Sequence, residues 1–325
     1  MKKCRQICAL LLIVTLLSGC SMYSSQPSTV TDTVFDTVIS IQIYDKNSED
    51  VLEHCVQMCR DYENLFSRTV EGSDIYNINH AKGKAVTVSD ETLRLINLAL
   101  EYCELSDGAF DITLGQLSDL WNFTENTGTL PKKSAIKKAV SNAGYEKIRI
   151  DGNTVQLANS KMQLDLGGIA KGYIADRLKD YMEDEGIRHA LINLGGNVLG
   201  IGGKPGNTDF NIGIQKPFDE TGSAITAAKI SDESVVTSGI YQRYFEKNNK
   251  IYHHIINPET GYPYDNSLLS VTIVTESSAR ADALSTVCFA LGYQGGMRLI
   301  NKLDGVEAVF ITDDYELHYS NGFPK

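Results

Sequence analysis

Three short stretches of the chain hold side chains whose types and spacing suit work on a phosphate. In Asp165-Leu166-Gly167-Gly168-Ile169-Ala170-Lys171-Gly172, paired glycines let the backbone come close to a ligand. The helix start behind them offers free N–H groups carrying partial positive charge. Lys171 adds a full charge in the first turn of that helix. Far downstream, Asp282 and Thr286 stand four residues apart and so share one helix face, while Leu284, Val287, Cys288 and Leu291 point toward a core. A carboxylate and a hydroxyl, completed by carbonyls and water, form the hard-oxygen environment that suits Mg²⁺. The third stretch, Tyr252-His253-His254-Ile255-Ile256-Asn257-Pro258, puts two histidines at the end of a strand. An imidazole with an ordinary pKa of about 6.5 can take the proton of an attacking hydroxyl. Adjacent strand residues face opposite sides, so at most one of the pair can face a site. Each pattern also has a plainer meaning: glycines punctuate turns, an Asp near a helix start offsets the dipole, and a histidine can be a core hydrogen bonder. Neither the P-loop nor the GxGxxG spacing is present.

The elements that must carry these residues alternate between helix and strand. Phe35 to Tyr44 alternates as a strand, and Val51, Leu52, Cys55, Met58, Cys59, Tyr62, Leu65 and Phe66 repeat as one face of a helix. Ser89 reads as the cap of a second helix, with Asp90 and Glu91 in its first turn and Gly108 after its end. A helix is expected over residues 132 to 142, and a hairpin around Asp151-Gly152-Asn153. Ile169, Tyr173, Ile174, Leu178, Tyr181 and Met182 line a helix running to Gly186. Further strands are expected near 190–194, 198–201, 210–214, 225–230, 251–256 and 269–274, a helix over 278–291, and closing strands near 306–311 and 315–319. Strands outnumber helices and often form hairpins, which predicts an α+β fold of mixed, largely antiparallel sheets with packed helices, in two closely joined lobes.

The first residues read as a secretory signal: Lys2, Lys3 and Arg5, an apolar run from Ile7 to Leu17 too short to span a bilayer, then Leu17-Ser18-Gly19-Cys20. Cys20 after Ser-Gly resembles a bacterial lipobox, which implies cleavage of residues 1–19, lipid on Cys20 and a membrane-anchored, extracytoplasmic protein. Residues 20–33, rich in Ser and Thr, are expected to form a flexible tether, with the folded domain spanning 34–325. The formal net charge is −11, and the signal carries bases but no acid, so the remainder is still more acidic. That balance excludes nucleic acid as a partner, since phosphate backbones need clustered Lys and Arg; a phosphate ligand must be met locally. Cys55, Cys59, Cys103 and Cys288 fall at apolar helix positions and are expected to be buried free thiols.

Seven segments occur in the order seen in one family: Ser67 to Asn79, Gly108-Ala109-Phe110-Asp111 with Ile112 to Gly115, the Asp165 to Gly172 turn, Asn193 to Asn197, Val236 to Gly239, His253 to Gly261 and Ala281 to Thr286. The chain resembles the ApbE family of FAD:protein FMN transferases over residues 33 to 323. The resemblance implies a Mg²⁺-dependent enzyme that moves the FMN half of FAD to a Thr or Ser hydroxyl of an exported acceptor protein and releases AMP. It implies further that Ala109, Phe110 and Asp111 contact FAD, that Asp165 and Lys171 hold its adenine and phosphate portions, and that Phe35 and Ile255 lie against it. The Gly168 carbonyl, Asp282 and Thr286 are the implied metal ligands, and His254 the implied base. The chain departs from the family pattern at Asn257, where Asp is commoner, and at Thr69 and Gln116. FAD hydrolysis to FMN and AMP, or FAD capture by a surface lipoprotein without turnover, are the alternatives.

Overall fold

The computed structural model describes residues 23–125 and 128–325, so the signal segment and Cys20 lie outside the described residues. Its framework is one eight-stranded sheet in the order β1 (Tyr23–Val34), β2 (Thr37–Asp45), β6 (Ala190–Leu194), β7 (Asn197–Ile201), β10 (Ser234–Gly239), β13 (Leu268–Thr275), β14 (Val306–Thr312) and β15 (Leu317–Tyr319). Every neighbouring pair in it is antiparallel. Burial explains the strand sequences. In β2, Ile39, Ile41 and Ile43 are buried while Val38 is exposed, the alternation of a strand with one face on a core. All eight residues of β13 are buried, so its run of Leu, Val, Ile, Ser and Thr does not alternate.

Three small sheets attach: β3 (Val86–Thr87), β5 (Thr154–Leu157) and β4 (Ile148–Asp151); β8 (Phe210–Gln215) with β9 (Ala224–Ile230); and β11 (Tyr244–Lys247) with β12 (Lys250–His253). The helices are α1 (Glu49–Phe66), α2 (Asp74–His80), α3 (Asp90–Leu105), α4 (Gly115–Trp121), α5 (Lys133–Asn142), α6 (Ala170–Asp184) and α7 (Ser278–Ile300), the last interrupted at Gly292. The two-lobed arrangement takes the form of two large apolar cores sharing the one sheet, with α7 between them. Ala279, Ala283 and Val287 of α7 belong to one core, and Ala281, Leu284, Cys288 and Phe289 to the other. A helix enclosed on both sides is apolar nearly all round, which isolates Asp282 and Thr286 as a polar stripe. A third, aromatic cluster joins Leu117 and Trp121 of α4, Ile136 of α5, Phe245 of β11 and Ile256.

Two expectations at the start of the chain are corrected. The segment expected to be a tether is largely strand: Ser28 to Val34 pair with Ile43 to Thr37. Its Thr and Val residues favour an extended edge strand, and Val30 and Val34 face the core, so composition alone misled. Phe35 does not begin a strand either. It and Asp36 form the two-residue turn between β1 and β2, both with positive φ (58° and 54°), because a two-residue hairpin of matching twist needs left-handed backbone at both positions. The four cysteines are buried and free as expected, and burial pushes the thiols of Cys55, Cys59, Cys103 and Cys288 up to about 12.

Candidate active site

The glycine-rich turn and the distant Asp and Thr meet where α6 crosses α7. Three residues spaced by four along one strip, Gly168, Gly172 and Asp176, face three similarly spaced on the other, Thr286, Asp282 and Ser278. At the first rung, a side-chain carbon on Gly168 would lie 3.6 Å from the Thr286 hydroxyl. At the second, the Gly172 N–H donates to Asp282 Oδ2 at 3.0 Å. At the third, Asp176 accepts from the Ser278 N–H at 2.7 Å. The approach needs glycine, since a carbon added to Gly172 would sit 2.2 Å from the Ser278 carbonyl oxygen.

Asp282 is only 5% exposed, and its second oxygen has no hydrogen-bond partner among the described residues. The Thr286 hydroxyl lies 3.0 Å from Ser238 Oγ, which lies 2.7 Å from Ser285 Oγ; Ser285 in turn donates to the Asp282 carbonyl at 2.8 Å. One open carboxylate oxygen, a hydroxyl and a neighbouring backbone form an oxygen-only donor set. That set suits Mg²⁺, which binds through one or two carboxylates and completes its shell with water and substrate phosphate. Among the described residues there is no cluster of three or more His, Cys, Asp or Glu side chains fit for a metal.

The Gly108–Gly115 segment forms the next wall. Asp165 N–H donates to the Ile112 carbonyl at 2.8 Å and Gly115 N–H to that of Gln163 at 3.0 Å, laying the two loops side by side. The Phe110 ring occupies the space where a Gly168 side chain would go, 2.9 Å from that position. The Ala109 carbonyl accepts from Tyr264 Oη at 2.9 Å. Both carboxylates expected to touch the ligand are engaged by their own chain. Asp165 accepts from the Gly167 N–H (2.9 Å) and Ser118 Oγ (2.7 Å), with Arg68 Nε 3.8 Å away. Asp111 accepts from the N–H and hydroxyl of Thr113 and from the Tyr145 N–H; its burial raises its pKa despite those bonds. These two acids hold the loops in shape. Lys171 is freer: its ammonium is exposed and, among the described residues, donates only to the Gly167 carbonyl, at 3.3 Å.

The adjacent histidines separate as strand geometry requires. His253, 4% exposed, bonds the Tyr264 carbonyl through Nε2 (2.9 Å) and accepts the Ile255 N–H at Nδ1 (3.3 Å). Burial lowers its pKa to about 4. His254 is half-buried, and its Nδ1 lies 3.3 Å from the Arg243 carbonyl. A carbonyl only accepts, so Nδ1 carries the proton and Nε2 keeps its lone pair. Burial, followed by the influence of His253 and the cations of Arg243 and Lys171, pushes His254 down to about 3.

Phe35 is half-buried in its strained turn, with its N–H on Glu63 Oε1 at 2.7 Å. Thr37, at the end of this turn, fills the space beside Gly195. Ile255 is 5% exposed and belongs to the second core, so it backs the His254 loop. Asn257 Oδ1 accepts from the Glu259 and Thr260 N–H groups. An amide oxygen serves that turn as well as a carboxylate does, which accounts for the loss of charge there. Gln116 bonds Asn142. The sequence reading passed over Glu63, Arg68, Ser118 and Asp176, which touch the site residues rather than form the site. Only Asp176 had a local signal, its four-residue spacing from Gly172.

The ApbE family model matches residues 35–310. A Klebsiella pneumoniae protein named FAD:protein FMN transferase is 36% identical over 286 residues, 87% of this chain and 88% of the relative. A Treponema pallidum protein of the same name is 34% identical, over 89% of this chain and 85% of the relative. The crystal structure of an ApbE protein from Thermotoga maritima superposes with a TM-score of 0.84 at 31% identity, covering 92% of this chain and all of that one. The Vibrio cholerae flavin transferase ApbE, at 24% identity and a TM-score of 0.81, shares the fold. The family match runs from the β1–β2 turn to β14 and takes in every wall of the site just described, so this chain belongs to the ApbE family.

Proposed function

We propose that this protein transfers the FMN half of FAD to a Thr or Ser hydroxyl of an acceptor protein, releasing AMP, with Mg²⁺ held by the Gly168 carbonyl, Asp282 and Thr286. The observation that carries this reading is the meeting of an open carboxylate oxygen, a hydroxyl and a glycine turn where α6 crosses α7. A divalent cation there would neutralise diphosphate charge as the linkage breaks. The residues of the chain do the rest. The partly positive N-terminal end of α6 and the Lys171 ammonium offer positive charge to a phosphate. Phe35, Ala109 and Phe110 offer apolar and backbone surface to the rest of the dinucleotide.

His254 Nε2 takes the proton of the acceptor hydroxyl. The acceptor oxygen then bonds to the phosphorus of the FMN half, the bond from that phosphorus to the bridging oxygen breaks, and AMP leaves with that oxygen. The product is a phosphodiester between the acceptor and FMN. The lowered pKa leaves His254 neutral at working pH, at a cost in proton affinity, since the best base titrates near that pH. We also infer export and anchoring through lipid on Cys20. Among the described residues no helix is long and apolar enough to cross a membrane. Radiolabelled palmitate incorporated into the wild type but not into Cys20→Ser is the expected result.

The test of the reaction is mass spectrometry of an exported acceptor candidate incubated with the protein, FAD and Mg²⁺. An acceptor heavier by one FMN unit, with AMP released in equal amount, is the expected result. Free FMN and AMP beside an unmodified acceptor would mean hydrolysis, and intact FAD would mean binding alone.

A further inference from the structure

We propose that Asp176, one helical turn beyond Gly172 on α6, is a positioning residue for the metal-binding face of α7. The inference rests on the metal assignment above and adds a residue that touches neither metal nor substrate. Its carboxylate accepts three hydrogen bonds from the start of α7: Ser277 Oγ at 2.8 Å, the Ser278 N–H at 2.7 Å and the Ala279 N–H at 3.0 Å. Ser277 Oγ itself accepts from the Arg280 N–H at 3.2 Å. The first-turn N–H groups of a helix have no partner within it, and here a side chain from the other helix supplies one. The helix-to-helix register is therefore fixed by directional bonds as well as by apolar packing.

That register decides where the metal ligands sit. Ser278, Asp282 and Thr286 follow one another at four-residue intervals, as do Gly168, Gly172 and Asp176, and the two strips run in opposite directions. Asp176 meets Ser278 at one end, Gly172 meets Asp282 in the middle, and Gly168 meets Thr286 at the other. The Gly172 contact alone leaves α7 a single hinge point against α6. The Asp176 bonds supply a second point one turn away, so Asp282 and Thr286 cannot swing from Gly168. Asn197 Oδ1 also accepts from Ser278 Oγ at 2.6 Å, and Ser234 Oγ donates to Ser278 Oγ at 2.8 Å, tying the same rung to β7 and β10. The partners that orient ligands commonly set metal affinity by tenfold to a hundredfold.

The experiment is a Mn²⁺ titration followed by electron paramagnetic resonance, with and without FAD, on the full protein. It compares the wild type with Asp176→Ala, the isosteric Asp176→Asn, and Ser89→Ala, which removes the cap of α3 and none of the bonds between α6 and α7. Both Asp176 variants should bind Mn²⁺ roughly tenfold to a hundredfold more weakly, keep their metal-free FAD affinity within about twofold, and recover transfer at high Mg²⁺. Ser89→Ala should melt at a lower temperature with its Mn²⁺ affinity intact, which separates positioning from general loss of stability. Unchanged Mn²⁺ affinity in Asp176→Asn, or an equal loss in Ser89→Ala, overturns the inference. A wild type that takes up no Mn²⁺ would instead sink the metal assignment beneath it. If Asp176→Ala does not fold, the Asn variant decides alone.

Discussion

The two sides of the site are built to opposite rules. On the side proposed for the metal, α6 and α7 meet through bonded rungs, a glycine that tolerates no side chain and a nearly enclosed carboxylate. On the side proposed for the base, the His254 ring stands just past a four-residue strand on one long hydrogen bond, and Phe35 and Asp36 lie in a turn where both residues adopt left-handed backbone. Helices cross-linked by hydrogen bonds hold ligands to within tenths of an ångström, whereas loops leave room for a substrate to enter. The difference teaches that the seat proposed for the ion is preset, while the wall that must admit two substrates keeps exposed groups and local strain.

The largest effect should come from Asp282→Ala, which removes the open carboxylate oxygen. Transfer should fall by at least ~10³-fold, the scale of losing a main electrostatic group, with the melting temperature lowered only slightly. Turnover measured under saturating FAD checks this, and retained activity would place the ion elsewhere. Next comes His254→Gln, expected to slow transfer by roughly 10²- to 10⁴-fold while FAD binding, followed by flavin fluorescence, stays the same. If binding is lost instead, His254 is a ligand contact and the base side is misread.

Gly172→Ala should destabilise the fold by ~3 kcal/mol or more, since overpacking against backbone cannot relax as a side chain would. Urea unfolding measures it, and a neutral result would mean that the two helices are not held at contact distance. The histidines give a pH signature. Both have pKa values lowered below the unfolded value of about 6.5, so the unfolded chain binds more protons between pH 6.5 and 4, and stability should fall as pH drops through that window. His253→Gln should flatten part of this slope in melts taken from pH 7 to 4. In kcat/KM, which reports the free enzyme, the acid limb should lie well below pH 6 because His254 stays neutral. The smallest effect is Asp36→Gly: the second position of such a turn favours glycine, so the variant should be more stable by no more than ~1 kcal/mol. A clear loss of stability would remove the claim of strain on the base side.

Much of this arrangement was legible in the sequence because it rests on local rules. The Ser89 cap accepts from the Thr92 N–H as its spacing predicts, Gly108 and Gly186 follow their helices with positive φ, and the strand 190–194 was bounded to the residue. The i,i+4 pair Asp282 and Thr286 could be placed on one helix face without coordinates. What failed was decided by partners distant in the chain. Residues 20–33 read as a polar tether because an edge strand exposes half its residues, and only pairing with β2 makes Tyr23–Val34 a strand. For Asp111 and Asp165, which the resemblance implies as ligand contacts, only the fold shows that Thr113, Tyr145, Ser118 and Gly167 bond their oxygens.

The chain by itself determined the types of group present, their spacing along each helix and the family they belong to, because turns, caps and helical faces depend on residues within one or two turns. The pairing of Gly168 with Thr286, Gly172 with Asp282 and Asp176 with Ser278 came only from the crossing of α6 and α7. Contacts across more than a hundred residues depend on how two helices pack on a shared sheet, and no local pattern encodes that register.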